Sequence, residues 1–398
     1  MIMIDFEKLK LFITGPIYIS DKIKQAALLP EFGHRDKENA KRLEPILKNL
    51  KKIAGIEDNN NSEDYEIALI PGSGSNALET SIKSMVKDDD VILNVSVGAF
   101  GDLYYNIAKK NGKNAISLKF EPGEAIDIAK LKDVMLENKP DVVAFTHNET
   151  STGVMNDIVL VGNTIKNTGK EYGKDVMVLV DGVSIFGGID LKLSEAQVDV
   201  YSTATQKAIG TDAGIGIIIF NKKAVKKAET VENRGYVTDM LAHAVTAAKY
   251  QILSTPNCSV INQLYVQTNR IVNEIGVAKR FGNHKEMRDY TLKWVENLEG
   301  GFVPFAPVGY QSVSLTCLKV PLKYTIDDLK AVKEKLRAKG YLMDPGYGKM
   351  NKMLAQAGKN LTIRIGHMGD ITLDMLKIYL DDLKEELELF KNKEYSLF

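Results

Sequence analysis

Cysteine is almost missing from this 398-residue chain: only Cys258 and Cys317 occur, far apart. A disulfide framework and a cysteine-built metal site are thereby excluded, no metal is expected, and a reducing cytoplasm is the expected compartment. Net charge is missing as well, because 52 Lys and Arg balance 52 Asp and Glu. Without a basic field, neither nucleic acid nor an anionic membrane is an expected partner. No apolar run approaches the roughly 20 residues of a membrane helix. The first residues, Met1 to Lys8, include Asp5 and Glu7 and lack the basic and apolar regions of a secretory signal. Internal repeats and low-complexity segments are absent too, and the Asn-rich stretch Asp58 to Ser62 reads as a surface turn.

What remains is ordinary globular composition, 44% hydrophobic and 26% charged. The length exceeds one comfortable core, so a large domain plus a smaller one is expected. From about residue 66 to 220, short apolar runs alternate with amphipathic stretches, the pattern of a parallel sheet covered by helices. Ile67–Ile70 leads into the glycine turn Gly72-Ser73-Gly74 and a helix from Ala77 to Met85. Further strands are expected at Val91–Val97, Val142–Thr146, Val176–Val180 and Gly214–Phe220. Beyond Pro256 the pattern changes to long charged helices, Ile261–Gly276 and His284–Leu298, which suit a bridge between domains. The alternation in Gln311–Leu318 and Leu361–Gly366 then suggests a half-buried antiparallel sheet.

Two residues carry the chemistry. Asp181 ends a buried apolar run, so its carboxylate is placed at the carboxyl edge of a sheet, where open α/β folds build their sites. Lys207 closes Ser202-Thr203-Ala204-Thr205-Gln206-Lys207, just ahead of the apolar run at Gly214. The pair suits pyridoxal phosphate, whose aldehyde needs a lysine amine for a Schiff base and whose ring nitrogen needs a carboxylate to stay protonated. A salt bridge at the sheet rim is the plainer alternative. The turn Gly72 to Ala77 opens a helix, and its backbone N–H groups suit a phosphate. It also fits the G-x-G-x-x-A fingerprint of a nicotinamide-dependent dehydrogenase, with Asp88-Asp89-Asp90 near the ribose-binding distance, and it fits a simple tight turn. No Gly-Lys-Ser/Thr follows, which excludes a P-loop.

Five turns in one order decide among these readings. Gly72 to Ala77, Gly98-Ala99-Phe100-Gly101, His147 to Val154, Asp181 to Gly188 and Thr205-Gln206-Lys207 together resemble the class V aminotransferases, the group of the alanine–glyoxylate, serine–pyruvate and phosphoserine enzymes. The resemblance runs from Gly15-Pro16 to Arg364-Ile365-Gly366-His367. It implies an α/β chain of fold type I. A large domain, residues 16–265, would carry a mostly parallel seven-stranded sheet, and a smaller α+β domain, residues 266–398, would have segment 1–15 packed near it.

The resemblance also assigns roles. Lys207 would bind the cofactor covalently and then shuttle the proton at the substrate α-carbon, while Asp181 keeps the ring nitrogen protonated. Phe100 and Val183 would pack on the two ring faces, and Thr150 would hydrogen-bond the phenolic oxygen. Gly74, Ser75, Asn76 and Gln206 would hold the phosphate. Singly, Phe100 and Val183 suit a core and Thr150 a loop cap. Ser254 and Thr255, in Tyr250 to Pro256, match the element that reaches the neighbouring cofactor in a homodimer whose active site lies at the subunit interface. Arg364 would clamp the substrate α-carboxylate against the backbone of Gly15, the fork geometry of guanidinium being suited to carboxylate.

Transamination is expected rather than desulfuration. Gln206 stands where desulfurases carry histidine, and Cys317 lies within an apolar alternation as an inert thiol. The expected substrates are a small amino acid of the alanine or serine type and a 2-oxo acid such as glyoxylate or pyruvate, in a ping-pong cycle. Arg35, in Phe32 to Asp36, matches a basic residue that can serve an anionic side chain, which keeps phosphoserine as the alternative.

Overall fold

The computed structural model describes residues 8–56 and 64–389, so the expected Asn-rich turn lies outside the described residues. Its strands, in chain order, are β1 Lys10–Leu11, β2 Tyr65–Gly72, β3 Val91–Ser96, β4 Asn114–Lys119, β5 Val142–Thr146, β6 Asn148–Glu149, β7 Val154–Met155, β8 Met177–Asp181, β9 Val200–Ala204, β10 Gly214–Asn221, β11 Val303–Pro304, β12 Leu315–Lys319, β13 Tyr341–Leu342 and β14 Thr362–Gly366. Seven of them form the main sheet in the order β2-β10-β9-β8-β5-β3-β4. Only β10 runs antiparallel to its neighbours β2 and β9. Every residue of β5, β8 and β9 is buried, which explains the apolar runs that make up β5 and β8 up to their last residue: helices cover both faces of a parallel sheet. Among the described residues no helix is long and apolar enough to cross a membrane.

The small antiparallel sheet has the order β11-β12-β14. Its core gathers Trp294, Leu318, Ile363, Leu380 and Phe12, and Phe12 stacks on Tyr379 with ring centroids 3.9 Å apart. Through β1, which pairs parallel with β13, the amino-terminal segment joins this part of the molecule. The expected strand at Gln311 starts only at Leu315, since Ser312 and Ser314 satisfy each other locally and Ser312 donates its N–H to Gly153 O. The charged helices also differ in their bounds. Cys258–Asn269 passes through a π turn, Arg270–Ile275, and Gly276, at φ 87°, separates it from one long helix, Val277–Glu296.

Three histidines, His147, His284 and His367, are fully enclosed. Burial pushes them down from 6.5 to about 4, about 3 and about 4 respectively. Their folded values lie below the unfolded one, so between pH 6.5 and 4 the unfolded chain binds more protons and stability falls as the pH is lowered. Each contributes on the order of 3 kcal/mol that is present above pH 6.5 and lost on acidification. Thermal unfolding of single His→Gln variants should therefore show a weaker pH dependence over that window than the parent, and identical slopes would contradict the neutral buried assignment.

Candidate active site

The turns singled out in the sequence all leave the same edge of the main sheet. Gly72-Ser73-Gly74 follows β2, Phe100 opens the helix Ala99–Lys110 after β3, Thr150 follows β5 and β6, Asp181 ends β8, and Lys207 follows β9. These are the carboxyl ends of the strands, where the crossover connections leave a crevice.

Asp181 is buried at 3% exposure, and its Oδ1 accepts the Val183 N–H at 2.9 Å. Burial pushes this carboxyl up to about 7; Val183 N–H and Lys207 oppose the rise, and the Glu149 charge adds to it. Lys207 is pushed down to about 8, first by burial and then by Arg364, with Asp181 and Asp344 acting the other way. Its Nζ donates to Thr14 O, and its chain lies against Gly15. A β-carbon at Gly15, which holds φ 134°, would meet the lysine amine and lie 2.9 Å from its Cε, so only glycine leaves the amine in place.

Around this pair the other expected residues gather. A β-carbon at Gly74 would lie 2.6 Å from Val183 Cγ2, so the valine packs directly on the turn that opens the helix Gly74–Met85. Asn76 Oδ1 accepts the Ser73 N–H at 2.8 Å and closes that first turn, leaving the Asn76 NH₂ and the exposed Ser75 toward solvent. Phe100 is half-buried, and its backbone N–H and that of Gly101 donate to Glu149 Oε2 at 3.0 and 3.1 Å. The Thr150 carbonyl accepts from Arg364 Nη1 at 3.0 Å. Arg364, central in β14 and 9% exposed, also lies 2.9 Å from Asp344 Oδ2 through Nη2, and its buried Nε has no partner among the described residues. Gln206 is half-buried, with an unpartnered buried Oε1, and it lines a cavity of about 200 Å³ with Pro16, Ile17 and Asp212.

Other expected residues stand apart from this cluster in the single chain. Arg35 is exposed, on a segment that packs on the helix Cys258–Asn269 through the Asn262 Nδ2 bond to Leu29 O at 3.0 Å. Ser254 is half-buried and Thr255 exposed, just ahead of the same helix. Cys317 is buried, pushed up to about 12 by burial, and is inert.

Four contributors were not foreseen. Glu149 ties the Phe100 turn to the Thr150 turn, accepting Ser151 N–H and Oγ–H as well as the two helix N–H groups. Asp344 pairs with Arg364. Arg280 Nη2 donates to Ala208 O at 2.9 Å, directly after Lys207, and its Nη1 meets Asp370, which also accepts from Arg270 and Ser20. Tyr347 places its ring 6.4 Å from Phe100 and 5.7 Å from the Arg364 guanidinium carbon. Glu149 lies inside a segment already singled out, but among the polar residues His147 to Thr152 nothing marks it as the one that ties two turns together; Asp344 before Pro345-Gly346 offered no signal either.

The residues fit pyridoxal phosphate on their own chemistry. A buried carboxyl held near neutrality needs a cation, a depressed lysine amine suits bonding to a carbonyl, and a helix amino terminus meets the needs of a phosphate. Among the described residues, no cluster suited to a metal ion occurs.

Comparison with known proteins agrees. The aminotransferase class-V family model matches residues 31–340, and the chain belongs to that family. It is a transaminase, and its cofactor is pyridoxal phosphate. An uncharacterized aminotransferase of Methanocaldococcus jannaschii is 31% identical over 92% of this chain and 89% of that protein. The L-aspartate–glyoxylate aminotransferase of Paracoccus denitrificans is 27% identical over 91% and 87%. In structure, the alanine–glyoxylate aminotransferase of Nostoc sp. superposes with a TM-score of 0.83 at 21% identity, covering 96% of each chain. The dehydrogenase reading of Gly72 to Ala77 is thereby set aside.

Because Asp181 has a folded value above the 3.8 of a free carboxyl, the folded protein binds the extra proton between about pH 4 and pH 7, and stability falls as pH rises through that window. Asn at this position keeps the acceptor for Val183 and removes the charge. Cofactor-free D181N should therefore unfold at a higher temperature than the cofactor-free parent at pH 8, by on the order of 3 kcal/mol. The difference should vanish below pH 4, and a lower unfolding temperature at pH 8 would contradict it.

Proposed function

We propose that this enzyme moves the amino group of a small monocarboxylic amino acid, of the alanine or serine type, to a 2-oxo acid such as glyoxylate or pyruvate, in a ping-pong cycle. The observation that carries this reading is the single guanidinium, Arg364, held buried beside Lys207 with an unpartnered Nε–H. Such a donor suits one carboxylate, and both the amino donor and the oxo acceptor bring one. When bound, pyridoxal phosphate supplies the carbonyl that takes up the amine and the ring that accepts electron density.

The protein's own groups then have defined tasks. Lys207 Nζ carries the proton to and from the substrate α-carbon, and its depressed pKa keeps a useful fraction unprotonated near neutral pH. Asp181 keeps the ring nitrogen protonated through a buried carboxylate. Phe100 and Val183 confine the ring between two faces, with Thr150 at its phenolic oxygen. The backbone at Gly74, with Ser75, Asn76 and Gln206, receives the phosphate. Arg364 and the backbone at Gly15 orient the substrate carboxylate and set the α-carbon over Lys207.

A homodimer completes the site in this reading, with Ser254 and Thr255 facing the neighbouring subunit; the exposure of Thr255 on the single chain supports it. The division into residues 16–265 and 266–398 is supported by two separate apolar cores, although the helix Cys258–Asn269 runs through the boundary.

The test is a single half-reaction screen of the holoenzyme, following loss of its visible band with alanine, serine and phosphoserine. Alanine or serine should react with the larger kcat/KM. Faster reaction with phosphoserine would overturn the assignment in favour of that alternative.

A further inference from the structure

Asp344 shares the pocket of Arg364. Its Oδ2 lies 2.9 Å and its Oδ1 3.2 Å from Arg364 Nη2. Oδ2 also accepts from Thr14 Oγ1 at 3.2 Å, and Oδ1 from Gly346 N–H at 3.0 Å. The carboxylate is 6% exposed and the guanidinium 9%, so neither charge is relieved by bulk water. Arg364 is further fixed by Thr150 O at 3.0 Å and by the Tyr347 ring beneath it. Every one of these contacts leaves Nε–H unpartnered, so the fork is already oriented and already half-neutralised before a substrate arrives.

Lys207 feels the same balance: Arg364 acts on it as a cation, against the anions Asp181 and Asp344. Asp181 belongs to the cofactor ring in the reading above, which leaves Arg364 and Asp344 as the opposed charges that act on Lys207 from the substrate side. Lys349, the basic residue nearest in sequence, is exposed at the start of the helix Gly348–Gln356. A single carboxylate still finds the Nε–H donor and the oriented guanidinium. A second anionic group meets an Arg364 already paired with Asp344 and faces the field of that carboxylate, an arrangement that rejects by like charge.

We propose that Asp344 sets the substrate class of this site: by neutralising Arg364 in advance, it admits monocarboxylic amino and oxo acids and works against dicarboxylates, phosphate esters and phosphonates. This rests on the reading of Arg364 as the carboxylate clamp. Asp344 is a positioning and specificity residue, since it acts through Arg364.

The test compares the parent holoenzyme with D344N and D344S. Calorimetry gives dissociation constants for propionate and succinate, which bind without turnover, and steady-state kinetics gives kcat and KM for alanine and for aspartate. In both variants the preference for succinate over propionate, and the kcat/KM ratio of aspartate to alanine, should rise about tenfold or more, with the change in KM rather than kcat. Ratios that stay within about twofold of the parent while all affinities fall together would overturn the proposal and leave Asp344 a purely structural partner. A parent enzyme that prefers phosphoserine to alanine would overturn the small-amino-acid assignment, while the D344N ratio would still decide the role of Asp344. Loss of Arg364 that leaves propionate binding unchanged would instead remove the clamp on which both stand.

Discussion

Replacement of Lys207 by Ala is expected to abolish multiple turnover, lowering kcat by about 10³-fold or more. The amine at this position has no substitute within reach in the described structure. Lys166, a buried lysine of the helix Ile158–Glu171, is paired with Asp199 at 2.6 Å and donates to Val176 O at 2.7 Å, so it is committed elsewhere. The fold should survive, because Lys207 Nζ makes only a backbone hydrogen bond with Thr14, and Asp181, whose charge the lysine favours, keeps the Val183 N–H and its proton near neutral pH. The measurement is kcat with saturating amino donor, together with the thermal midpoint. Sustained turnover in K207A would refute the assignment of the lysine.

The second large effect concerns Arg364. R364A should raise the KM of the amino donor and of the oxo acceptor together, each by about 100-fold, because one pocket serves both half-reactions. It should also destabilise the protein by about 3 kcal/mol, since Asp344 would be left as a buried anion without its counter-ion. These two consequences can be separated. The R364A/D344N pair removes both charges and should recover most of the stability while leaving both KM values high. A double variant that recovers its KM values would show that Arg364 acted on the fold and not on the substrate.

The legible parts of this molecule are those written locally. The strands β5 and β8 are unbroken apolar runs because both faces are covered, and the turns that follow them carry their polar residues at the sheet edge by construction. Arg364 was legible for a related reason: a long cation at the centre of an alternating strand is out of place unless an anion meets it. The parts that were not legible are contacts between distant segments. Thr14 O meets Lys207 Nζ across 193 positions, and Thr14 Oγ1 meets Asp344 across 330. Nothing in Tyr341-Leu342-Met343-Asp344-Pro345-Gly346 marks the aspartate as the partner of an arginine on another strand, because a loop carboxylate before Pro-Gly is ordinary turn chemistry. Arg280 reads as one charge on a long charged helix, yet it is buried and grips the carbonyls after Lys207. The late start of β12 has the same origin, since Ser312 and Ser314 bond each other and Gly153 O ahead of the strand, in ways that alternation does not report.

The chemistry placed at Asp181 and Lys207 can be examined directly by borohydride reduction of the yellow holoenzyme, followed by tryptic digestion and peptide mass measurement. The mass of the reduced cofactor should appear on the peptide that carries Lys207 and on no other. Its appearance on a different lysine, or on none, would contradict the central assignment.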